Sequence, residues 1–325
     1  MNILLVDVDS VIPNLALMKV SNFYKKLGYS IELVKCGISY YPNKQKVFNL
    51  NINKKYYKIF ISCVFMNTFK MLNITDNFNN DISYGGTGIN FINLPDKIEN
   101  GDPDYSIYPE NDTSYGFITR GCIRNCYFCV VPKKEGNLHF VKHPKDIIKH
   151  EKVRFLDNNI LAYKYHKDIL QWLVDNKIKC RLNEGLDIRL INKENSILLS
   201  QLNYDGEYIF AFDNIRDKYI IKEQLNLLSW RKNWQIKMYV YVHPDMKLED
   251  TVYRINYLKE NKCLPYVMRD ISCWESDNHN FYVDLASWCN QPGIFKKMNF
   301  NEFLEKRHTK QDRIKNSKEL YNRIK

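Results

Sequence analysis

Three cysteines within eight residues, at the spacing Cys-x3-Cys-x2-Cys, are the feature that most constrains this 325-residue chain. They are Cys122, Cys126 and Cys129. An apolar, β-branched run from Gly116 to Thr119 precedes them and leads into Gly121. This order predicts a strand that delivers three thiolates into a tight loop. Such a loop can surround a single metal centre.

The number of thiolates bears on which metal centre the loop would hold. A closed structural zinc site uses four protein ligands, and no fourth Cys or His follows Cys129 at short range. Three thiolates therefore suit a cubane iron-sulfur cluster better, with one iron left without a protein ligand. A zinc knuckle or three unconnected buried thiols remain the alternatives.

The cysteine loop resembles the signature loop of the radical S-adenosylmethionine superfamily, including the aromatic Phe128 just before the last cysteine. The resemblance implies that Cys122, Cys126 and Cys129 bind three irons of a 4Fe-4S cluster. It also implies that the amino and carboxylate groups of S-adenosylmethionine bind the fourth iron. The chain is then an enzyme that cleaves this cofactor reductively and starts radical chemistry on a substrate, with methyl or methylthio transfer among the reactions. A reductant such as flavodoxin or ferredoxin is the implied partner.

The first hundred residues predict an α/β unit with an open, mostly parallel sheet. The predicted elements are a strand from Asn2 to Val8, a helix from Leu15 to Leu27, and strands from Ile31 to Lys35, Tyr57 to Met66 and Ile92 to Leu94. This Rossmann-like layout resembles the cobalamin-binding-like domain of one branch of the superfamily. The loop after the first strand, Asp9 to Asn14, contains no His that could bind the cobalt from below. We therefore expect the protein not to retain cobalamin.

Residues 101–114 contain two prolines and few aliphatic side chains, which is typical of a linker. The cluster strand follows, and apolar or β-branched runs then alternate with helical patterns through 115–291. These runs are Val153 to Leu156, Lys179 to Leu182, Tyr208 to Phe212, Lys237 to Val242 and Pro265 to Met268. Six β/α units predict a partial (β/α)6 TIM-type barrel with its active site at the carboxyl ends of the strands. Residues 292–325 predict a basic helical tail.

Polar side chains follow several of these strands, where the resemblance implies cofactor contacts. Asp157 and Asn158 could accept hydrogen bonds from the ammonium group of S-adenosylmethionine, and Arg189 could bind its carboxylate. Glu184 and Asp213 fit ribose or methionine contacts. An Asx turn at Asp157 and Asn158, and an internal Asp-Arg ion pair at Arg189, are the structural alternatives.

Charge and cysteine usage indicate the partners and the compartment. The balance of 48 Lys and Arg against 37 Asp and Glu gives a formal charge of +11, which is compatible with a polyanionic partner such as nucleic acid. Lysines on a solvated surface are the alternative. Lys, Asn, Ile and Tyr are all abundant, so an AT-rich genome is an alternative cause of the basic excess. A peptide is the other substrate class that we consider.

The six cysteines outside the loop have no short spacing among them, and we interpret them as small buried hydrophobes rather than ligands of an auxiliary cluster. An apolar run at Ile3 to Val6 is too short for a signal peptide or a membrane span. Nine cysteines without a leader are typical of a reducing compartment, and we expect a cytoplasmic protein with no membrane partner.

Two classes of function follow from these observations. The first is a radical enzyme acting on an unidentified substrate. The second is a non-catalytic scaffold or interaction protein that holds an iron-sulfur cluster or zinc without turnover. Polar residues at the strand ends favour the enzyme, because a scaffold does not need them around the metal.

Overall fold

The computed structural model of the protein describes residues 1–40 and 46–325. It is a mixed α/β structure with parallel sheets. The chain divides into two compact units. The first unit comprises Met1–Tyr115 and Phe128–Gly136, and the second comprises Gly116–Tyr127 and Asn137–Lys325.

The first unit contains seven complete strands and four α-helices in its described part. The strands are β1 Asn2–Asp7, β2 Ser30–Lys35, β3 Gly37–Tyr40, β4 Lys46–Ile52, β5 Lys58–Ser62, β6 Leu72–Asp76 and β7 Ile82–Gly85. The helices are α1 Leu15–Lys26, α2 Met66–Phe69, α3 Asp96–Glu99 and α4 Val131–Lys134. One sheet has the order β2-β1-β5-β7 with every pair parallel. A second sheet has the order β3-β4-β6.

Both faces of the parallel sheet are covered, which explains the continuous apolar run in β1. Ile3 and Leu5 pack with α1, whereas Leu4 and Val6 belong to a separate buried cluster with residues of β4 and β5. Helix α1 begins at the predicted position because the Asn14 side chain accepts a hydrogen bond from the Leu17 amide. The predicted parallel sheet and its first helix are confirmed.

Two strand predictions in this unit need correction. The third predicted strand ends at Ser62 instead of Met66, because the Asp9 carboxylate accepts hydrogen bonds from the amides of Val64 and Phe65 and draws the backbone out of the ladder. The predicted strand from Ile92 to Leu94 is wrong, since these residues have no regular structure and Ile92 is 81% exposed. The edge strand is β7 instead.

The second unit begins at the last residue of β8 Thr113–Gly116 and alternates strands with helices. The further strands are β9 Thr119–Arg120, β10 His139–Phe140, β11 Lys152–Phe155, β12 Lys179–Leu182, β13 Asn203–Tyr204, β14 Tyr208–Ala211, β15 Ile236–Val242 and β16 Leu264–Arg269. The helices between them are α5 Pro144–Ile147, α6 His166–Asp175, α7 Lys193–Gln201, α8 Lys218–Leu227 and α9 Leu248–Glu260. The chain ends with α10 His279–Cys289, α11 Pro292–Lys297, α12 Phe300–Glu305 and α13 Gln311–Ile324.

Two parallel ladders organise this unit, β11-β12-β13 and β14-β15-β16. Gly116 lies beside β11, where its carbonyl accepts a hydrogen bond from the Leu156 amide at 2.9 Å. Each strand predicted after the cysteine loop coincides with a strand of the structure to within one or two residues. All carboxyl ends within a ladder therefore lie at the same edge.

The predicted tail is helical, and it packs on the second unit through its apolar side chains. Phe295, Phe300 and Tyr321 are buried with Trp288 of α10 in one hydrophobic core. Two of its basic side chains, Arg307 and Arg313, form ion pairs within the protein. No helix within residues 1–40 and 46–325 is both long and apolar enough to cross a membrane.

Asp284 in α10 anchors the tail from a position with no solvent exposure. Its oxygens accept from the Arg313 guanidinium at 2.6 Å and from the Ser317 hydroxyl at 2.8 Å, and Arg307 lies 3.0 Å away. Removing one partner of a buried ion pair leaves the remaining charges unsatisfied, which is strongly destabilising.

We expect Asp284→Ala to lower the free energy of unfolding by about 3 to 5 kcal/mol. Urea denaturation followed by circular dichroism measures this change. Glu305→Ala is the matched control, because Glu305 forms an exposed ion pair with Lys318 of the same tail, and an exposed pair contributes little to stability. Equal effects of the two substitutions would show that Asp284 is not the anchor.

Candidate metal and cofactor site

The cysteine loop follows β9 and turns sharply at Gly121, whose φ of +78° is a conformation that favours glycine. Cys122, Cys126 and Cys129 are each half-buried. The Arg124 amide donates to the Cys122 sulfur at 3.3 Å. Cys122 and Cys126 belong to the second unit, whereas Cys129 and the neighbouring Phe128 belong to the first.

The other six cysteines differ from these three in their solvation. All six are buried. Burial raises the pKa of Cys36 to about 11 and the pKa of Cys63 and Cys180 to about 12, and it also raises the pKa of Cys263. The buried thiols are therefore held protonated, and a protonated thiol is a poor metal ligand.

Asp157 holds the strand that enters the cysteine loop. This buried carboxylate accepts hydrogen bonds from the amides of Ile118 and Thr119 at 3.1 and 2.5 Å, and from the Thr119 hydroxyl at 2.7 Å. Burial raises the pKa of Asp157 to about 6 although these hydrogen bonds act to lower it. Asp157 lies at the predicted strand end, but its oxygens bind the protein's own backbone.

Asp187, in the segment that follows β12, binds the cysteine loop. Its side chain is only 7% exposed and accepts from Arg124 Nε at 2.8 Å, within the cysteine loop. Arg189 donates to the same carboxylate through Nε at 2.7 Å and Nη2 at 3.1 Å. Burial alone would raise the pKa of Asp187, but the hydrogen bonds from Arg189 and Arg124 lower it. The carboxylate therefore stays charged and links the loop to the sheet.

Arg189 thus forms the internal ion pair that the sequence left as an alternative. Its Nη1 also lies 3.4 Å from an Asp217 oxygen. The hydrogen bond to Asp187 is the largest cause that raises the pKa of Arg189. The guanidinium therefore stays charged beside this carboxylate. Glu184, by contrast, is exposed and accepts from the Asn183 amide group.

Hydrogen bonds connect the carboxyl ends of β14, β15 and β16 beside the cysteine loop. The Asp213 carboxylate accepts from the Tyr241 amide at 2.8 Å, and burial raises the pKa of Asp213. The Tyr241 hydroxyl donates to Asp270 at 2.7 Å. The Tyr241 ring also contacts Tyr127 of the cysteine loop edge-on, with ring centres 5.8 Å apart. Asn158 is half-buried at the end of β11, as predicted for a strand-end residue.

A fully buried guanidinium, that of Arg254, donates hydrogen bonds to the backbone at the carboxyl ends of these strands. Arg254 of α9 is 1% exposed and donates to the carbonyls of Phe212 and Tyr241 at 2.8 and 3.1 Å. A cavity of about 360 Å³ opens here and is lined by Asp213, Arg254 and polar residues of the loops that follow β14 and β15. Its size fits a small ligand.

Sequence reasoning missed three of these residues, namely Arg124, Tyr127 and Arg254. A signal existed for Arg124, since a charged side chain inside a metal-binding loop needs a partner. Arg254 lies between apolar Val252 and Ile255 on a helix, but neither its burial nor its carbonyl partners follow from that pattern. Among the described residues, no group of three or more His, Cys, Asp and Glu is already arranged to hold a metal ion.

Comparison with known proteins gives no family assignment. The chain matches no family model, and no curated protein is significantly similar to it.

The role of Asp187 can be tested by limited proteolysis. We expect Asp187→Ala to speed tryptic cleavage after Arg124 about tenfold, because the loss of a charge-assisted hydrogen bond favours local opening of the loop. Mass spectrometry of timed digests measures the cleavage rate. Asp217→Ala is the matched control, since Asp217 contacts Arg189 but has no hydrogen bond to Arg124. An unchanged rate in Asp187→Ala would contradict the assignment.

Asp157 should make stability depend on pH. Because the folded protein binds this proton more tightly than the unfolded chain, its stabilising contribution is complete below pH 3.8 and is lost as the pH rises to about 6. The difference between the ordinary pKa of 3.8 and the raised pKa of about 6 corresponds to about 3 kcal/mol in the free energy of unfolding. We expect this fall in the free energy of unfolding to be absent from Asp157→Asn and retained in Thr119→Val, as measured by urea denaturation across that pH range. Parallel pH profiles for wild type and Asp157→Asn would refute the raised pKa.

Proposed function

We propose that the protein is a radical S-adenosylmethionine enzyme that binds a 4Fe-4S cluster through Cys122, Cys126 and Cys129. One observation carries the proposal: the cysteines with the signature spacing are the half-buried ones, while the six others are buried. Their loop is held at the carboxyl ends of parallel strands by Asp157 and Asp187. In α/β proteins this edge is where ligands bind.

The donor set fits the proposed cluster. Soft thiolates are the preferred ligands of iron-sulfur clusters, and three of them leave one iron open. A thiolate also needs a less desolvated setting than a buried thiol, and the half-burial of the three cysteines meets that requirement. When bound, the cluster would supply the electron that cleaves S-adenosylmethionine reductively.

The finer architecture is part of the same proposal. We infer that β8, β11, β12, β14, β15 and β16 are the six strands of a partial (β/α)6 barrel, and that the first unit is Rossmann-like. Support comes from the parallel pairing and from hydrogen bonds between the ladders, such as the one from the Leu186 amide to the Ile209 carbonyl at 2.8 Å. The backbone of the segment that follows β12 is therefore hydrogen-bonded to β14.

The side chains at this edge divide into two groups by their contacts. Asp157 and Asp187 position the cysteine loop, because their oxygens already accept from it or from the strand that enters it. Asn158, Glu184 and Asp213 are proposed to bind the cofactor. Arg189 is proposed to bind the cofactor carboxylate while it keeps its contact with Asp187. Phe128, the aromatic residue of the signature loop, is also proposed to bind the cofactor.

The remaining parts of the proposal concern partners. A reductant such as flavodoxin or ferredoxin would supply the electron, and the cytoplasm would provide the reducing conditions that thiol ligands need. The formal charge of +11 favours a nucleic acid over a neutral substrate.

A non-catalytic scaffold that binds iron-sulfur or zinc is the second candidate. Arg189 favours it, because its guanidinium is already paired with Asp187 and Asp217. An arginine held in this way can be purely structural. The two candidates differ in whether the reduced protein cleaves S-adenosylmethionine.

We expect anaerobically reconstituted protein to bind close to four irons, a number that follows from the proposed cluster type. Cys122→Ala, Cys126→Ala and Cys129→Ala should each abolish this binding, as measured by iron and sulfide analysis and visible absorption. Cys36→Ala and Cys273→Ala are the controls, since both are buried thiols outside the loop and should retain full iron. Full iron in all three loop variants would refute the ligand assignment.

With dithionite as reductant, the reconstituted protein should convert S-adenosylmethionine to 5′-deoxyadenosine and methionine, measured by liquid chromatography. Zinc in place of iron, or full iron without cleavage, would instead favour the scaffold.

A further inference from the structure

Three aromatic side chains, of which two are exposed and one is half-buried, form a continuous group on the second unit. We call this group the aromatic surface: Phe140, Tyr163 and Tyr165. The rings of Phe140 and Tyr163 stack with centres 5.6 Å apart and an angle of 22°. Tyr165 meets Tyr163 edge-on at 5.6 Å. Phe140 and Tyr165 remain 46% and 49% exposed, so half of each side chain is open to a ligand.

Basic groups accompany the aromatic surface. The Lys164 ammonium lies 4.5 Å from the centre of the Tyr165 ring. In the β9-β10 ladder His139 lies opposite Arg120, next to the pair of Phe140 and Thr119. Between residues 139 and 167 the chain has seven lysines and arginines and three acidic residues. One of those acids is the buried Asp157, and one of the lysines, Lys167, is paired with Glu194. The segment still has an excess of basic side chains, which attracts anions.

The aromatic surface is next to the cysteine loop along the chain. Phe140 pairs with Thr119, and Cys122 follows Thr119 by three residues. Three extended residues span about 10 Å. A ligand stacked on Phe140 would therefore lie within the length of one or two nucleotides of the first cysteine.

We propose that the aromatic surface binds an unpaired segment of RNA, with bases stacked on Phe140 and Tyr165 and phosphates near Lys164. Exposed aromatic rings interleaved with basic groups are the usual means of holding unpaired bases, since every base offers a flat π-face. RNA is favoured over DNA because folded RNA presents its bases in single-stranded loops, whereas duplex DNA keeps them stacked. An acidic peptide would use the basic groups but gain little from flat rings.

This inference deepens the proposed function by giving a substrate class, and rests on it only where modification is concerned. RNA binding is a property of the full chain with or without iron. Failure to bind RNA would leave iron content and S-adenosylmethionine cleavage unaffected, so the two proposals can fail separately.

The test measures binding of a fluorescein-labelled, unstructured 20-nucleotide RNA to the full-length protein by fluorescence anisotropy. We expect Phe140→Ala and Tyr165→Ala each to weaken binding about five- to hundredfold, which is the effect of losing one stacked base. Phe140→Tyr should bind as wild type does, because it retains a ring. Lys164→Ala should weaken binding and reduce the slope of log affinity against log salt by about 0.7.

Tyr219→Ala is the matched control. Tyr219 is 70% exposed and lies beneath Lys218, at 4.8 Å, but it is outside the aromatic surface. Wild-type affinity in this control, together with weaker binding in the two alanine variants and normal thermal unfolding of all of them, supports the proposal. Wild-type affinity in Phe140→Ala and Tyr165→Ala would overturn it. Stronger binding of duplex RNA, single-stranded DNA or an acidic peptide of equal charge would also overturn it.

Discussion

Asp157 and Asp187 both hold the cysteine loop in place in the second unit. Each is a desolvated carboxylate whose oxygens accept hydrogen bonds from the loop or from the strand before it. Asp187 binds two guanidinium groups, Arg124 and Arg189, and this neutralises a charge that could not otherwise remain at 7% exposure. Asp157 relies on two amides and the Thr119 hydroxyl instead. Removing Asp157 leaves the buried amides of Ile118 and Thr119 without their acceptor. Removing Asp187 leaves Arg124 and Arg189 without their shared carboxylate, so the position of the loop depends on both.

Much of the fold could be predicted because the strands of parallel sheets are buried on both faces and read as apolar runs. Strands β1 and β14 have this signature. Strands β11 (KVRF) and β12 (KCRL) instead alternate charged and buried residues. The sheet β3-β4-β6 was not predicted, since β4 (KVFNLNI) alternates polar and apolar residues over a short length and β6 (LNITD) has few apolar ones. The shortened third strand depends on Asp9, a residue 55 positions away from the amide it binds. Periodicity carries no information on such a contact.

The candidate site was predictable in position but not in pairing. Sequence reasoning placed Asp157, Arg189 and Asp213 at strand ends. Asp157 and Asp213 do follow β11 and β14 directly, whereas Arg189 lies in the short 3-10 helix Ile188–Leu190, well after the end of β12. The partners of these side chains could not be read from the sequence: Asp187 could bind a ligand or an arginine, and only the geometry shows both Arg124 and Arg189 on its oxygens. Arg254 was missed for the same reason, because its carbonyl acceptors belong to two other strands.

Two independent properties select the same three cysteines out of nine. Spacing selects Cys122, Cys126 and Cys129 because a short loop can bring their sulfurs together. Solvation selects them as well, since the other six are buried, and burial raises the pKa of a thiol such as Cys180 and keeps its proton in place. A chain rich in cysteine can thus avoid competition between ligand and core thiols, because desolvation makes the core thiols unreactive. A substitution that loosens the packing around a core cysteine would expose its thiol and so create a competing ligand.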